Sequence, residues 1–428
     1  MKIFADFHIH SKYARATSPQ MDLENISKFG KLKGLNLIGT GDFTHPDWLK
    51  ELKQKLNPIE DTGIYSYNGM KFMLTTEIST IYEQDNKTRK IHHVVHVPNF
   101  EIIDQIRDIL ENKGAKLGID GRLTLNNIAS DEFVELLRNV YKDILIIPAH
   151  AWTPWYGVLG SKSGFDRIED CYKDQTKYIY GLETGLSSDP AMNWRLSSLD
   201  KFTLMSNSDS HSHWPWRLGR ECNVFEIDRL TYSEIFNIIK NKDKKKFLFT
   251  IEVDPAYGKY HWTGHRNCHV MLPPKKAMKI NNICPKCKRP LTIGVEQRVE
   301  KLADRPEGYK PKNAIPFKKL IPLAELIKVV FKIDTLYSKT IWNEYMKLIN
   351  KFGSEFKVLL ETPIEELKKE TNEKLAKFII LNREEKIKII PGYDGVYGIP
   401  VFDENKFKEF KQKQDNIKLE TQKTLKNF

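Results

Sequence analysis

Six short apolar runs within the first 225 residues each meet a polar cluster, and this repeated pattern limits what the chain can fold into. The runs are IFADFHIH, NLIGTGD, KFMLTTE, IHHVVHVP, ILIIPAH and FTLMSNSD. Their β-branched and aliphatic character reads as buried strand. Amphipathic stretches at Asp22–Leu35, Pro46–Leu56 and Asp131–Tyr141 lie between several of them and read as helix. Strands alternating with helices predict an α/β domain, most simply a barrel with its chemistry at the strand C-termini. His8, His10, Asp42, Glu77, His150 and Asp209 stand at those ends, so one barrel mouth would gather residues far apart in sequence.

Histidine distribution supports a shared role for these ends. All twelve histidines fall between His8 and His269, whereas solvated surface histidines would scatter over the whole chain. His8-Ile9-His10 alternates along a strand, so both rings point to one face. Asp209-Ser210-His211 repeats that arrangement with a carboxylate and an imidazole. Such donor mixtures suit zinc, manganese or iron, and a carboxylate can bridge two ions. A single H-x-H is more often a satisfied core pair than a ligand pair; ligand types at the ends of several successive strands are not explained that way.

At 428 residues the chain calls for two or three domains, and no run approaches the length of a membrane span. We divide it into a catalytic domain (1–227), a connector (228–260), a zinc-binding module (261–310), a basic helical domain whose charge suits a polyanion such as DNA (311–415) and a tail (416–428). His265-x2-Cys268 and Cys284-x2-Cys287, 15 residues apart, have the spacing of a closed four-ligand zinc site. His261 and His269 are near enough to compete as the fourth ligand. The charge of +12 permits a polyanionic partner, and Lys286, Lys288 and Arg289 around the knuckle are candidates for backbone phosphates. An acidic, histidine-bearing N-terminus reads against a secretion signal. Five cysteines, three of them clustered, point to a reducing cytoplasmic, nucleoid-associated setting.

HIHSKYARATS, TGDFTHPDW, TTE, HHVVHVP, PAHAWTPW and SNSDSH together resemble the successive motifs of the PHP phosphoesterase superfamily. With GLETGLSSDPAMNWRLSSLDKF, LGREC, GKYHWTGHRNC, CPKCKRPLTIGVEQRVEKLADRPEGY and PGYDGVYG, the resemblance is to the endonuclease Q family and spans nearly the whole chain. It implies a distorted (β/α) barrel of the PHP type, with an added zinc module and a helical C-terminal region. The implied activity is incision of damaged double- or single-stranded DNA on the 5′ side of uracil, hypoxanthine, xanthine or abasic sites. Carried over motif by motif, the implied metal ligands are His8, His10, Asp42, His45, Glu77, His93, His150, Asp209 and His211. Of the histidines in HHVVHVP the PHP pattern favours His93 over His92 and His96, and Asp42 is either a ligand or a partner behind one. Arg15 stands where many PHP proteins carry a ligand; it cannot bind a metal and is instead a candidate for a DNA phosphate.

These assignments imply two or three divalent ions, zinc with magnesium or manganese supporting activity, that activate water for in-line displacement. Glu77 and Asp209 are the expected bridging carboxylates. Arg15, Arg217 and Arg220 are expected to neutralise phosphate charge, the alternative being ordinary surface arginine or salt bridges. Trp152, Trp155 and Tyr156 after His150 are candidates to wedge or stack on DNA; Trp214 and Trp216 share that possibility, and mutual packing is the plainer alternative. Gln422, Leu425 and Phe428 resemble a sliding-clamp-binding peptide that folds on its partner. Two rival readings are a PHP phosphatase acting on a small phosphate ester and a DNA-binding adaptor with a degenerate metal site.

Overall fold

A computed structural model of the protein describes residues 1–415. Seven strands form a ring: Lys2–Asp6, Leu37–Gly39, Met70–Gln84, Lys87–Val97, Leu145–Pro148, Gly181–Glu183 and Thr203–Met205. The first three run parallel, with Ala5 opposite Leu37 and Leu37 opposite Lys71. The third and fourth form an antiparallel hairpin, and the fifth is antiparallel to the fourth, with His93 opposite Pro148. The Ala151 amide donates to the Glu183 carbonyl, tying the fifth strand's end to the sixth, which pairs in parallel with the seventh. Past Met205 the chain returns to the first strand through an Ile9–Ser210 bridge, where the His10 amide donates to the Ser210 carbonyl at 2.9 Å. The ring thereby closes. The α/β barrel expected from sequence is the architecture found.

Strand alternation sets which side chains enter the ring. Phe7, Met73, Val94, Ile147 and Met205 are buried together in its interior, whereas Phe72, Ile78, Ile91 and Val95 belong to a separate buried cluster beneath the surrounding helices. The Leu23–Lys33 helix shows how those helices are specified. Asp22 caps it by accepting from the Asn25 amide, Gly34 ends it with φ 100°, and Leu23, Ile26 and Phe29 form its buried face. Each of these side chains contributes about 1.5–3 kcal/mol of burial, so a charge at Ile26 would undock the helix.

Residues 228–260, expected to link two domains, are part of the barrel's fabric. The Tyr232–Asn241 helix buries Ile235, Ile238 and Ile239, and the Phe247–Glu252 strand pairs with Cys222–Glu226 beside the first strand. The C-terminal helices Leu323–Phe331, Lys339–Phe352, Glu355–Leu360, Ile364–Glu370 and Glu373–Arg383 enclose their own core around Leu326, Tyr345, Leu348 and Leu375. Pro363 holds the cap position of the fourth of them, and the Thr362 hydroxyl before it donates back to the Lys357 carbonyl. This helical unit is locked to the barrel by a buried network. Lys33 Nζ donates to Glu355 Oε1 and to the Pro215 carbonyl, both at 2.8 Å, and Tyr345 donates to Glu355 Oε2 at 2.9 Å. Pro215 lies in the loop that follows Asp209, so the helical domain braces one rim of the barrel mouth. Gln422, Leu425 and Phe428 lie outside the described residues.

Candidate metal centre

At the mouth, two groups of donors share one carboxylate. His8, His10 and Asp209 form the first; Glu77, His92 and His150 form the second, and within each group the ligand atoms lie within 4.8 Å of one another. Glu77 joins them: Oε1 is 3.6 Å from His8 Nε2, 2.6 Å from His92 Nδ1 and 3.1 Å from His150 Nε2, while Oε2 is 3.4 Å from His10 Nε2. Asp209 Oδ1 is 3.3 Å from His10 Nε2 and 3.5 Å from His211 Nε2. Nε2 of His8 and of His10 and Oδ1 of Asp209 are buried with no hydrogen-bond partner. Orphaned buried donors and acceptors on converging imidazoles and carboxylates fit divalent ions of the zinc, manganese or iron type.

The residues behind these ligands aim them. Asp42 Oδ1 is 3.0 Å from His10 Nδ1, and its Oδ2 accepts from the Ser11 amide and hydroxyl. Asp42 is thereby a support for His10, the second of its two expected roles. Glu183, which sequence reasoning missed, contacts His8 Nδ1 at 3.0 Å, accepts from the His150 amide at 3.2 Å and from Asn207 at 3.1 Å. A carboxylate on Nδ1 leaves Nε2 free to face an ion. Asp42, His150 and Asp209 have φ of 46°, 31° and 46°, a left-handed conformation that non-glycine residues adopt at a cost. Gly185 permits one of these: a Cβ there would sit 2.6 Å from the His150 Cβ.

Charge within the cluster is unevenly shared: burial keeps His92 neutral, its value pushed down to about 4 despite Glu77 beside it. Burial opposes ionisation of Glu77 and Asp209, yet the facing histidines hold both carboxyls well below their ordinary range. Burial likewise opposes charging of His8 and His10, but Glu183, Asp209 and Glu77 around the one and Asp42 against the other raise both well above the usual histidine value. Ions binding here would displace those protons, making occupancy pH-dependent.

Several expected positions are corrected. His93 does not reach the cluster; its ring packs on Phe133 and its Nδ1 contacts the Ile78 carbonyl, because it lies opposite Ile78 on the outward face of the hairpin. His92, one residue earlier, points inward and takes that place. His45 precedes the Pro46–Lys55 helix and stacks on Tyr13 with ring centroids 4.5 Å apart, outside both donor groups. Trp152 is fully buried and donates to Asn193, so it cannot stack on DNA. Arg220 turns inward, both Nε and Nη2 donating to the Ser208 carbonyl, and steadies the Asp209 loop. Trp214 and Trp216 stack on each other at 4.7 Å, and Trp216 is buried. Trp155 is exposed, Tyr156 packs over His92 at 4.2 Å, and Arg15 is exposed beside Asp120. Arg217 is half-buried, and Lys288 and Arg289 are exposed.

His265, Cys268, Cys284 and Cys287 converge in a second, separate cluster, with Cys287 Sγ 3.3 Å from His265 Nδ1. His261 turns away to Glu296, which leaves His265 as the fourth member. The module's own buried core is confined to a handful of residues around Leu272 and Cys284.

The crystal structure of a lesion-specific endonuclease from Pyrococcus furiosus, PfuEndoQ, superposes on this chain with a TM-score of 0.85 and 35% identity, covering 98% of this chain and 100% of that one. The chain belongs to the endonuclease Q family. A second endonuclease Q structure, solved with a 27-mer duplex substrate carrying an abasic lesion at its active site, matches with a TM-score of 0.83 and 35% identity over 95% of this chain and 98% of that one. Among curated relatives, the uncharacterized Methanocaldococcus jannaschii protein MJ0043 is 37% identical over 270 residues, 61% of this chain but only 33% of its own length. The uncharacterized Bacillus subtilis protein YqxK is 27% identical over 93% of this chain and 98% of its own. Residues 322–386, the helical unit that braces the Asp209 loop, match the family model of the MJ0043 C-terminal domain. This endonuclease Q family member carries its donor clusters on a scaffold shared with both of those structures.

Proposed function

We propose that the chain is a metal-dependent DNA repair endonuclease that cuts the phosphodiester 5′ of deaminated bases and abasic sites. The observation that carries this reading is the chain-long match to endonuclease Q structures, one of them bound to lesion-bearing duplex, combined with a filled set of donors at the barrel mouth. His8, His10, Asp209 and His211 would hold one ion and His92 and His150 another, with Glu77 between them. Bound there, divalent ions supply an activated water and charge stabilisation for the displaced alkoxide. The chain's own residues orient that assembly: Asp42 and Glu183 fix the imidazoles, and Arg220 fixes the loop bearing Asp209. Exposed Trp155 is the aromatic best placed to meet an unstacked base, and exposed Lys288 and Arg289 extend the positive surface for duplex backbone. The His265–Cys287 cluster suits structural zinc, closed to substrate. The clamp-binding reading of Gln422, Leu425 and Phe428 rests on sequence alone.

The test is incubation of end-labelled duplexes containing uracil, hypoxanthine or an abasic site with Mg²⁺ or Mn²⁺, followed by mapping of the cut. A single nick 5′ of the lesion, with 3′-hydroxyl and 5′-phosphate ends, is expected. Turnover of a small phosphomonoester with no nick in any damaged duplex would point to the phosphatase instead.

A further inference from the structure

One cation enters the metal cluster directly, and nothing in the sequence drew attention to it. Arg122 Nη1 lies 3.4 Å from Glu77 Oε2, the same oxygen that faces His10. The segment delivering it is built for that approach. Gly121 passes so close to Asp42 that a Cβ would stand 2.6 Å from Oδ2 and 2.9 Å from the Ala14 amide nitrogen, so no other residue fits without a shift. The Gly121 amide donates to the Tyr13 carbonyl, and Asp120 accepts from the amides of both Arg15 and Arg122. Arg122 is about one-third exposed at the mouth, and Arg15 continues the positive edge outward along a groove of about 340 Å³ that includes Lys116 and Asn126.

A counter-charge for Glu77 does not account for this arginine. Four histidines already surround that carboxylate, and its oxygens are the ones an ion would need. An arginine beside divalent cations is repelled by them unless an anion lies between. We propose that Arg122 is a phosphate-binding residue of the mouth, its guanidinium donating to a non-bridging oxygen of the phosphodiester at the lesion while Glu77 keeps it in place. The assignment rests on the endonuclease reading above. A guanidinium matches phosphate in shape and charge, and its donors not used on Glu77 are available at the exposed end.

A double-substitution cycle tests it by binding alone. The four arms use Asp209→Asn protein, which leaves the DNA uncut, with Arg122 intact or changed to Met, and abasic duplex with a normal or a neutral methylphosphonate linkage at the cleavage position. Arg122→Lys serves as a conservative variant, and thermal melting with metal analysis confirms folding and ion content. Neutralising the phosphate removes its attraction to bound ions in both proteins; with Arg122 present the loss of binding is about tenfold to a hundredfold larger than with Met. An equal penalty in both proteins overturns the proposal. Loss of ions in the Met variant, with tight binding restored by added metal, also overturns it and leaves Arg122 as a partner of Glu77. An undamaged duplex run beside the four arms separates the two readings: if even the Arg122-intact protein fails to prefer abasic over undamaged duplex, the failure lies with the endonuclease reading.

Discussion

Replacing Asp42 with asparagine should weaken the metal centre without touching a ligand. Asp42 is fully buried; Oδ1 faces His10 Nδ1 at 3.0 Å, and Oδ2 accepts from the Ser11 amide and hydroxyl. If the asparagine oxygen stays with Ser11, its NH₂ group faces His10 Nδ1 and must be met by a lone pair. The ring proton then moves to Nε2, the atom aimed at Glu77 and Asp209, which can no longer ligate. If the amide flips, the buried Ser11 amide faces another donor, at about 1–3 kcal/mol. The first outcome removes the support that keeps His10 ready and the second leaves only a weaker, neutral acceptor; such changes reduce metal affinity by about 10–100-fold, or about 1.4–2.8 kcal/mol. Competition with a chelator of known affinity reads this directly, and incision should return as metal is raised. An unchanged chelator midpoint in a folded Asp42→Asn protein would refute the positioning argument.

Asp209→Asn and Glu77→Gln should each lower incision by at least about 10³-fold while lesion-containing duplex still binds in a gel-shift titration, because they remove charge at the reacting centre. His93 and His96, away from the ligand atoms, are held neutral by burial, with values pushed down to about 3 and about 4. The unfolded chain protonates first as pH drops below about 6.5, so stability falls from there toward pH 4, by about 1.4 kcal/mol per pH unit per histidine. Urea unfolding at pH 7, 5.5 and 4.5 should show that slope, and His96→Gln should flatten it. Cys287→Ala should release one tightly held metal per chain and open residues 261–290 to protease, with the barrel's melting transition retained. Deletion of Gln422–Phe428 should abolish binding to a sliding clamp while nicking is spared; unchanged clamp affinity in a pull-down would remove the peptide from the account.

The barrel and most of its donors were legible because their signals are local. His8-x-His10 and Asp209-x-His211 announce one shared face by strand alternation alone, and His150 follows the end of Leu145–Pro148; Glu77, read as a strand end, lies midway along Met70–Gln84 and reaches the mouth because that strand runs on past it. The choice between His92 and His93 depends on hairpin register, where a one-residue slip reverses every side chain. The signal was present: Asp85 and Asn86, both left-handed, make a two-residue turn that sets Gln84 opposite Lys87 and hence Ser79 opposite His92. Since Glu77 and Ser79 share a face, His92 shares it too. Glu183 carried no such sign, for its role exists only because the sixth strand lies beside His8. Arg122 likewise matters through the approach of a distant loop to Glu77. Trp152 and Arg220 occupy the expected loops, but side-chain direction depends on neighbours such as Asn193 and Ser208, remote in sequence.

Anomalous diffraction from crystals grown with Mn²⁺ would locate the ions themselves. At least two peaks are expected at the barrel mouth, within bonding distance of His8, His10, Glu77, His92, His150 and Asp209, with none at His93. An ordered mouth without ions, at metal concentrations that support incision, would contradict that arrangement.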